Sequence, residues 1–376
     1  MIARRFFHKL VAPVLAFLPQ AVAKTNSDWH YRKFFTKEHL LTLIYHQLSD
    51  DHTLRAVEEA RRTDEKVQEA VESSGVHLSN LGRANQNRSY KVFRYLFHAL
   101  FPVALACCGV TDLGTLFVVG SVKIMDATFI ECVASMLWAE YKTKQKGVKG
   151  HVLFDMGGIP ERLVLTSGKG KDRTVLAQSL KRGVTYLFDR GYNCYAFFAT
   201  MCELGAYFVT RLCANAVYEV VTTFTVEADS QKRGVLSDQK IRLGQGKTRI
   251  KPLLRLITFQ DATGKVYHFL TNRFYLPAWV VCELYHRRWD IELFFRWIKY
   301  YLKVKQFIGR SRNAVLCQLF AALITFLLLK IHAKKEEAQE KLTRTYLRGI
   351  KHRLFNEVSE AEVGAYLAGV LAVNTS

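Results

Sequence analysis

From Gly114 to Tyr192 the chain passes through β-forming runs and one short helical one, and this order narrows its fold more than any other feature. TLFVVGSVKIMDATFI, CVASMLWAEY and GHVLFDM are rich in β-branched and aromatic residues, and the last is closed by Gly157, Gly158 and Pro160. DRTVLAQSLKRG then reads as a short helix with Asp172 as its cap, and VTYLFDRGY as a buried strand. The β-β-β-α-β order predicts an α/β domain. Residues 204–275 alternate again, in YFVTRL, VYEVVTTFTVEA, QKIRLG, PLLRLITFQ and VYHFLTN, with DATGK as a hairpin turn between the last two. That block is expected to be an all-β insertion.

On either side the period changes. FTKEHLLTLIYHQL, DHTLRAVEEARR and YKVFRYLFHALFPVALA space their apolar residues near 3.6, so residues 1–110 read as a helical N-terminal module, with the polar SSGVHLSNLGRANQNRS as a break within it. After the β block, residues 276–332 return to helix, and 333–376 form a charged, helical C-terminal region.

Lys plus Arg number 54 against 33 Asp plus Glu, a net charge of +21, which points to a polyanionic partner, DNA or an anionic membrane surface. The eight cysteines contain no C-x-x-C pair, and reduced thiols in a cytosolic protein are expected. Cys282 and His286 stand one helical turn apart without a second pair to complete a zinc site. Two stretches imitate membrane signals. In MIARRFFHKLVAPVLAFLPQAVA, Pro13 and Pro19 interrupt the apolar run. AVLCQLFAALITFLLL, 16 residues interrupted by Gln318, is shorter than the ~20 a spanning helix needs. A soluble, cytoplasmic protein without stable membrane association is the expectation.

Asp126 lies within VKIMDATFI among apolar and β-branched residues, where an ionised carboxylate is costly unless paired or metal-bound. Asp189 follows Tyr186-Leu187-Phe188 at the carboxyl end of a strand, where open α/β sheets put their sites. Taken singly, each is as readily a turn former. LYHRRWDIELFFRWIKYYLKVKQF, wound at about 100° per residue, puts Tyr285, Arg288, Glu292 and Lys299 within an arc of roughly 60°, beside an apolar stripe of Leu284, Ile291, Phe295, Ile298 and Leu302. By itself the polar stripe is equally a solvated, salt-bridged face. Two Asp on strands and a Glu on a helix packed against them also make a site for two Mg²⁺ or Mn²⁺ ions, which take hard oxygen ligands and align attack on a phosphodiester. There is neither a P-loop nor a dinucleotide fingerprint. His151 and Asp172 are candidates for supporting such a site, against plainer readings as a strand-end His and a helix cap. Lys149, in GVKGH, reads as a turn-flanking or DNA-facing charge.

The spacing Tyr285-x2-Arg288-x3-Glu292-x6-Lys299 resembles the YREK signature of DDE transposases of bacterial insertion sequences, in the branch called the insertion-sequence-four family. IMDATFI and LFDRGY are similar to that family's first and second Asp regions, and TNSDWHYRKFFTKEHLLTLIYHQLSDDHTLRAVEE resembles the module that precedes its catalytic domain. The resemblance implies a ribonuclease-H-like catalytic core, residues 114–203 and 276–332, interrupted by the β-strand insertion at 204–275 and preceded by a DNA-binding module at 1–110. It further implies that Asp126, Asp189 and Glu292 hold the two metals and that Tyr285, Arg288, Lys299 and Arg211 contact DNA. The implied reaction is cleavage at the ends of an insertion sequence and transfer into target DNA. Double-stranded DNA, in the terminal inverted repeats and the target, would be the partner of a homodimer in the synaptic complex, at the bacterial nucleoid. A metal-dependent nuclease without strand transfer and a catalytically inactive DNA-binding protein are the alternatives.

Overall fold

The computed structural model describes residues 2–49, 53–72, 78–109, 119–133, 135–142, 145–168, 172–304 and 307–335, with 347, 350 and 351. The N-terminal part is helical: α1 (Ile2–Leu15), α2 (Leu18–Thr25), α3 (Thr36–Leu48), α4 (Leu54–Thr63), α5 (Glu65–Val71), α6 (Leu78–Asn87) and α7 (Lys91–Cys108). Strands β1 (Val122–Glu131), β2 (Glu140–Lys142), β3 (Gln145–Asp155) and β4 (Pro160–Ser167) follow, then α8 (Asp172–Ala177), β5 (Thr185–Leu187), α9 (Tyr195–Glu203) and β6 (Tyr207–Arg211). Next are β7 (Tyr218–Phe224), α10 (Ala228–Lys232), β8 (Val235–Leu243), β9 (Leu254–Gln260) and β10 (Val266–Thr271). The chain ends its described course in α11 (Ala278–Arg287), α12 (Trp289–Tyr301) and α13 (Arg312–Lys335).

Four local readings change. The Asn-rich stretch is largely the helix α6, because Leu81, Ala84, Asn85 and Arg88 recur on one buried face. Asn85 pairs with His39 at 2.8 Å, and just past the helix the Arg88 guanidinium donates to the carbonyls of Ser27 and Phe34 and lies 3.8 Å from the Tyr31 ring. CVASMLWAEY is a strand only from Glu140, with successive turns at Met136 and Ala139 before it. PERLVLTS, unread as a strand, is β4 and forms a hairpin with β3. The long helix after Pro277 is two helices that meet at Arg288.

The chain divides into two units, one of Met1–Gly109, Ile130–Ala139 and Arg296–Ser376, the other of Val110–Phe129 and Glu140–Phe295. In the first, α13 is the core helix. Its 24 residues exceed the apolar run seen in the sequence, so α7 and α13 are both long and apolar enough to cross a bilayer, as is the bent α1–α2 pair. The length argument against a span therefore fails for α13. Nearly all of its apolar window is buried against protein, chiefly α7, α3 and α1, and Phe320 meets the rings of Tyr90 and Phe97. Gln318, the polar interruption, donates to the Lys303 carbonyl at 2.6 Å and accepts from Ile308 N–H at 3.0 Å, tying down the segment that enters the helix. Most of residues 333–376 lies outside the described part.

The second unit is mixed α/β around a large, mostly antiparallel sheet in the order β2-β3-β1-β5-β6-β10-β9-β8-β7, with β4 on β3. Only β1, β5 and β6 pair in parallel among the registered strands. The block expected as an insertion therefore extends this same sheet: β10 pairs with β6, and β9, β8 and β7 follow outward. Helix α9 covers the centre through Phe198, stacked 4.8 Å from Phe208 beside Phe188. Arg255 on β9 is buried, paired with Asp238 at 2.6 and 2.9 Å, and donates to the carbonyls of Arg273, Phe274 and Leu276. That fixes the turn from which α11 starts.

Candidate active site

The strand registers put the polar residues of interest in one row. β1 pairs with β5 up to Ile124 opposite Leu187, and β5 with β6 at Leu187 opposite Val209. Two residues on from these pairs are Asp126 and Arg211, still within β1 and β6, and Asp189, just past the end of β5; Arg211 pairs in turn with Phe269 on β10. Residues level on neighbouring strands share a face at the interstrand spacing of about 4.8 Å. Asp126 accepts from the Ala127 N–H at 2.7 Å. Asp189 caps the 3-10 turn Arg190–Tyr192 by accepting from Gly191 N–H at 2.9 Å, and its carbonyl accepts from Thr210 on β6. Both aspartates are half-buried.

Helices α11 and α12 bring the third carboxylate. The Tyr285 ring lies 4.9 Å from that of Phe269, and Phe294 lies 5.0 Å from Phe154 on β3. Between these anchors, Arg288 donates to Glu292 at 2.5 Å and sits 5.6 Å from the Tyr285 ring. Burial pushes the Asp126 carboxyl up to about 6, opposed by the Ala127 hydrogen bond and reinforced by Asp189, while Arg288 lowers it and Glu292 raises it. Burial opposes the charge of Arg288, but Tyr285, Glu292 and Asp126 outweigh it and raise that group overall. Burial also raises the Tyr285 phenol, against the pull of Arg288 and Arg211. Asp126, Asp189, Glu292, Tyr285, Arg288 and Arg211 are thus one electrostatic group. Lys299 lies about two turns beyond Glu292 on α12, in the helical unit.

The other polar residues fall into place around β3. Lys149 is in the strand, bonded to Asp172 at 3.2 Å, and His151 is buried with Nε2 2.8 Å from the Thr166 hydroxyl and Nδ1 3.5 Å from Asp172. Burial lowers the His151 imidazole. Lys149 is therefore an ion-pair partner within the sheet and not a turn-flanking charge. Sequence reading passed over Tyr192, which ends the turn that Asp189 begins; only its place in DRGY marked it.

Asp126, Asp189 and Glu292 supply the hard oxygens a divalent cation takes, and burial with the neighbouring like charges raises Asp126 above its ordinary pKa. Among the described residues no three acidic, histidine or cysteine side chains converge as a metal cage, and Glu292 is engaged by Arg288. In the helical unit, a cleft of about 750 Å³ is lined by Asn26, His30, Arg32, Lys33, Arg83 and Asn87, with Tyr31 and Arg88 behind them.

The family model described as Transposase DDE domain matches residues 119–328. Over 219 residues the chain is 36% identical to a Sinorhizobium fredii protein named as a transposase, y4zB, across 56% of this chain and 61% of that one. It is 29% identical over 227 residues to the transposase named for insertion sequence element IS5377 of Geobacillus stearothermophilus, covering 60% of each chain. A third relative, named for insertion sequence element IS4SA of Synechocystis sp., is 24% identical over 280 residues, 70% of this chain and 74% of the other.

Proposed function

The chain belongs to the transposase DDE-domain family, and from that membership we propose that it cuts DNA at the ends of an insertion sequence and joins those ends to target DNA. The placing of Asp126 on β1 and of Asp189 just past the end of the neighbouring parallel strand β5, with Arg288 at the end of α11 and Glu292 on α12 adding to the charge around Asp126, is the observation that carries the reading. In it residues 114–203 and 276–332 make up the ribonuclease-H-like core, and residues 204–275, which hold β6 to β10, are the insertion before the helix that supplies Glu292.

Asp126, Asp189 and Glu292 would hold two Mg²⁺ or Mn²⁺ ions. Such ions, when bound, align a water or a DNA 3′-hydroxyl for in-line attack and stabilise the leaving oxygen. The chain's own groups do the positioning. Arg288 engages Glu292 with one nitrogen and so holds a guanidinium beside that carboxylate, a group suited to phosphate oxygens. Arg211 and the Tyr285 hydroxyl address the same strand of DNA, and Lys299 adds a point charge further along α12. The cleft of the N-terminal helices, basic and rich in amides, suits duplex DNA. The protein works on DNA in the cytoplasm at the nucleoid, without stable membrane association, and as a homodimer when two ends are paired.

The test uses a plasmid carrying the coding sequence with its native flanking DNA, in Mg²⁺, comparing wild type with Asp126→Asn and Glu292→Ala. Excision and free 3′-hydroxyl ends from wild type alone, with DNA binding retained by both variants, are expected. Cutting by either variant at the wild-type rate would remove its residue from the metal site. Cutting without joining would make the protein a nuclease, and binding without cutting by wild type an inactive relative.

A further inference from the structure

The loop between α2 and α3 is built around a buried guanidinium. Arg88, 1% exposed, donates to the carbonyls of Ser27 and Phe34, and its guanidinium carbon lies 3.8 Å from the centre of the Tyr31 ring. Asp28 accepts from the backbone N–H and the hydroxyl of Thr36, at 2.7 and 2.6 Å, which closes the loop onto the start of α3. Backbone bonds from Trp29 to Asn26 and from Tyr31 to Asp28 set the turns between. A loop held at this many points has little freedom left to lose on binding. On it stands Trp29, 76% exposed, its ring in edge contact with that of His30 at 6.1 Å. The fold gains little from apolar area left in water, so this indole does not serve packing. His30, Arg32 and Lys33 line the basic cleft of the helical unit, with Asn80, Arg83 and Asn87 from α6. Arginine, lysine and asparagine around an apolar wedge are the means by which proteins enter a minor groove and part a base step.

We propose that Trp29 is a wedge for duplex DNA seated along this cleft, its indole pressed between bases from the minor groove while Arg32, Lys33 and Arg83 meet the flanking phosphates. The proposal rests on the reading of the cleft as a DNA site. A duplex supplies both halves of the match, negative charge for the cleft and an apolar base step for the indole. A polyanion without bases supplies only the first.

Full-length wild type, Trp29→Ala, Trp29→Phe and a triple variant, Arg32→Ala with Lys33→Ala and Arg83→Ala, are compared by fluorescence anisotropy. The probes are a labelled duplex from the native flanking DNA and labelled heparin, which has no bases. In a second series 2-aminopurine, which brightens when unstacked, is placed at each position along one strand of the duplex in turn. Trp29→Ala is expected to bind the duplex roughly 5–150-fold more weakly, the loss of one base–aromatic contact, and to bind heparin as wild type does. Trp29→Phe should keep most of the affinity. A position that brightens with wild type and Trp29→Phe should stay dark with Trp29→Ala. The triple variant should lose affinity for both probes. Wild-type affinity for the duplex in Trp29→Ala, or no position that brightens, overturns the wedge and leaves the cleft standing if the triple variant binds weakly. Wild-type affinity in the triple variant overturns the cleft reading and the proposal with it. Equal loss for duplex and heparin in Trp29→Ala assigns the effect to the shape of the loop and overturns the wedge.

Discussion

Asp126 holds its charge at a disadvantage. Its carboxyl is raised from 3.8 to about 6, by burial first and then by Asp189 and Glu292. Below the unfolded value both states are protonated and nothing is lost. As pH rises from about 4 to about 6 the unfolded chain releases its proton before the folded one does, so stability falls over that window and then stays level. A shift of about two units corresponds to up to about 3 kcal/mol. In chelator, Asp126→Asn should therefore be more stable than wild type at pH 7.5 by an amount of that order, and the gap should close near pH 4; urea melts at the two values measure it. A difference that persisted unchanged at pH 4 would assign the gain to packing. At this scale the sequence was informative where chemistry is written in residue type: a carboxylate among apolar strand residues, another at a strand end, a third in a spaced stripe. Tyr192 was not legible, because its buried hydroxyl becomes conspicuous only when its surroundings are known to lack a partner among the described residues.

The elements that carry the site are held by a buried ion pair. Arg255 and Asp238 bind each other inside the sheet, and Arg255 also gathers the carbonyls at the start of α11. Removing one partner leaves a buried charge unpaired, so Asp238→Ala is expected to destabilise the protein by about 3–5 kcal/mol, whereas Arg255→Met with Asp238→Leu should recover much of the loss in denaturant melts. The double variant still lacks the donors that fix the turn before Pro277, and DNA cleavage should remain impaired after stability returns. The β7 to β10 strands were legible from their β-branched and aromatic runs and the turn residues between them, although burial does not alternate along each: β7 is exposed on both faces and β9 opens with four buried residues. β4 and α6 were not: the buried face of α6 is only Leu81, Ala84 and Asn85, thin among polar residues that stay exposed, and the run of β4 is short and begins with proline. The break at Arg288 does not disturb the polar stripe, since Arg288 keeps helical angles where α11 hands over to α12.

For the molecule as a whole, a charge of +21 is an electrostatic statement about its partner. Binding to duplex DNA should weaken linearly in log salt, and each of Arg32→Ala, Lys33→Ala and Arg83→Ala in the helical cleft should reduce that slope by about 0.9 if its charge meets a phosphate. Fluorescence anisotropy across a salt series measures it; a slope unchanged in all three would take DNA out of the cleft. The division into a helical part and a sheet was visible from periodicity, but the return of residues 296–335 to the helical unit was not, because nothing local marks where a chain comes back. The placing of Asp126 on β1 and Asp189 just past the neighbouring β5, with Glu292 a further 103 residues along the chain, also has a meaning in time. On the ribosome, at about 5–20 residues per second, both aspartates are made roughly 5–20 s before the glutamate. A nascent chain in that interval has two acidic strand ends and no Arg288 to face them. On the proposed function, a message cut short there would encode a chain lacking Glu292, so the order of synthesis would delay the chemistry until the helix that supplies it has been translated.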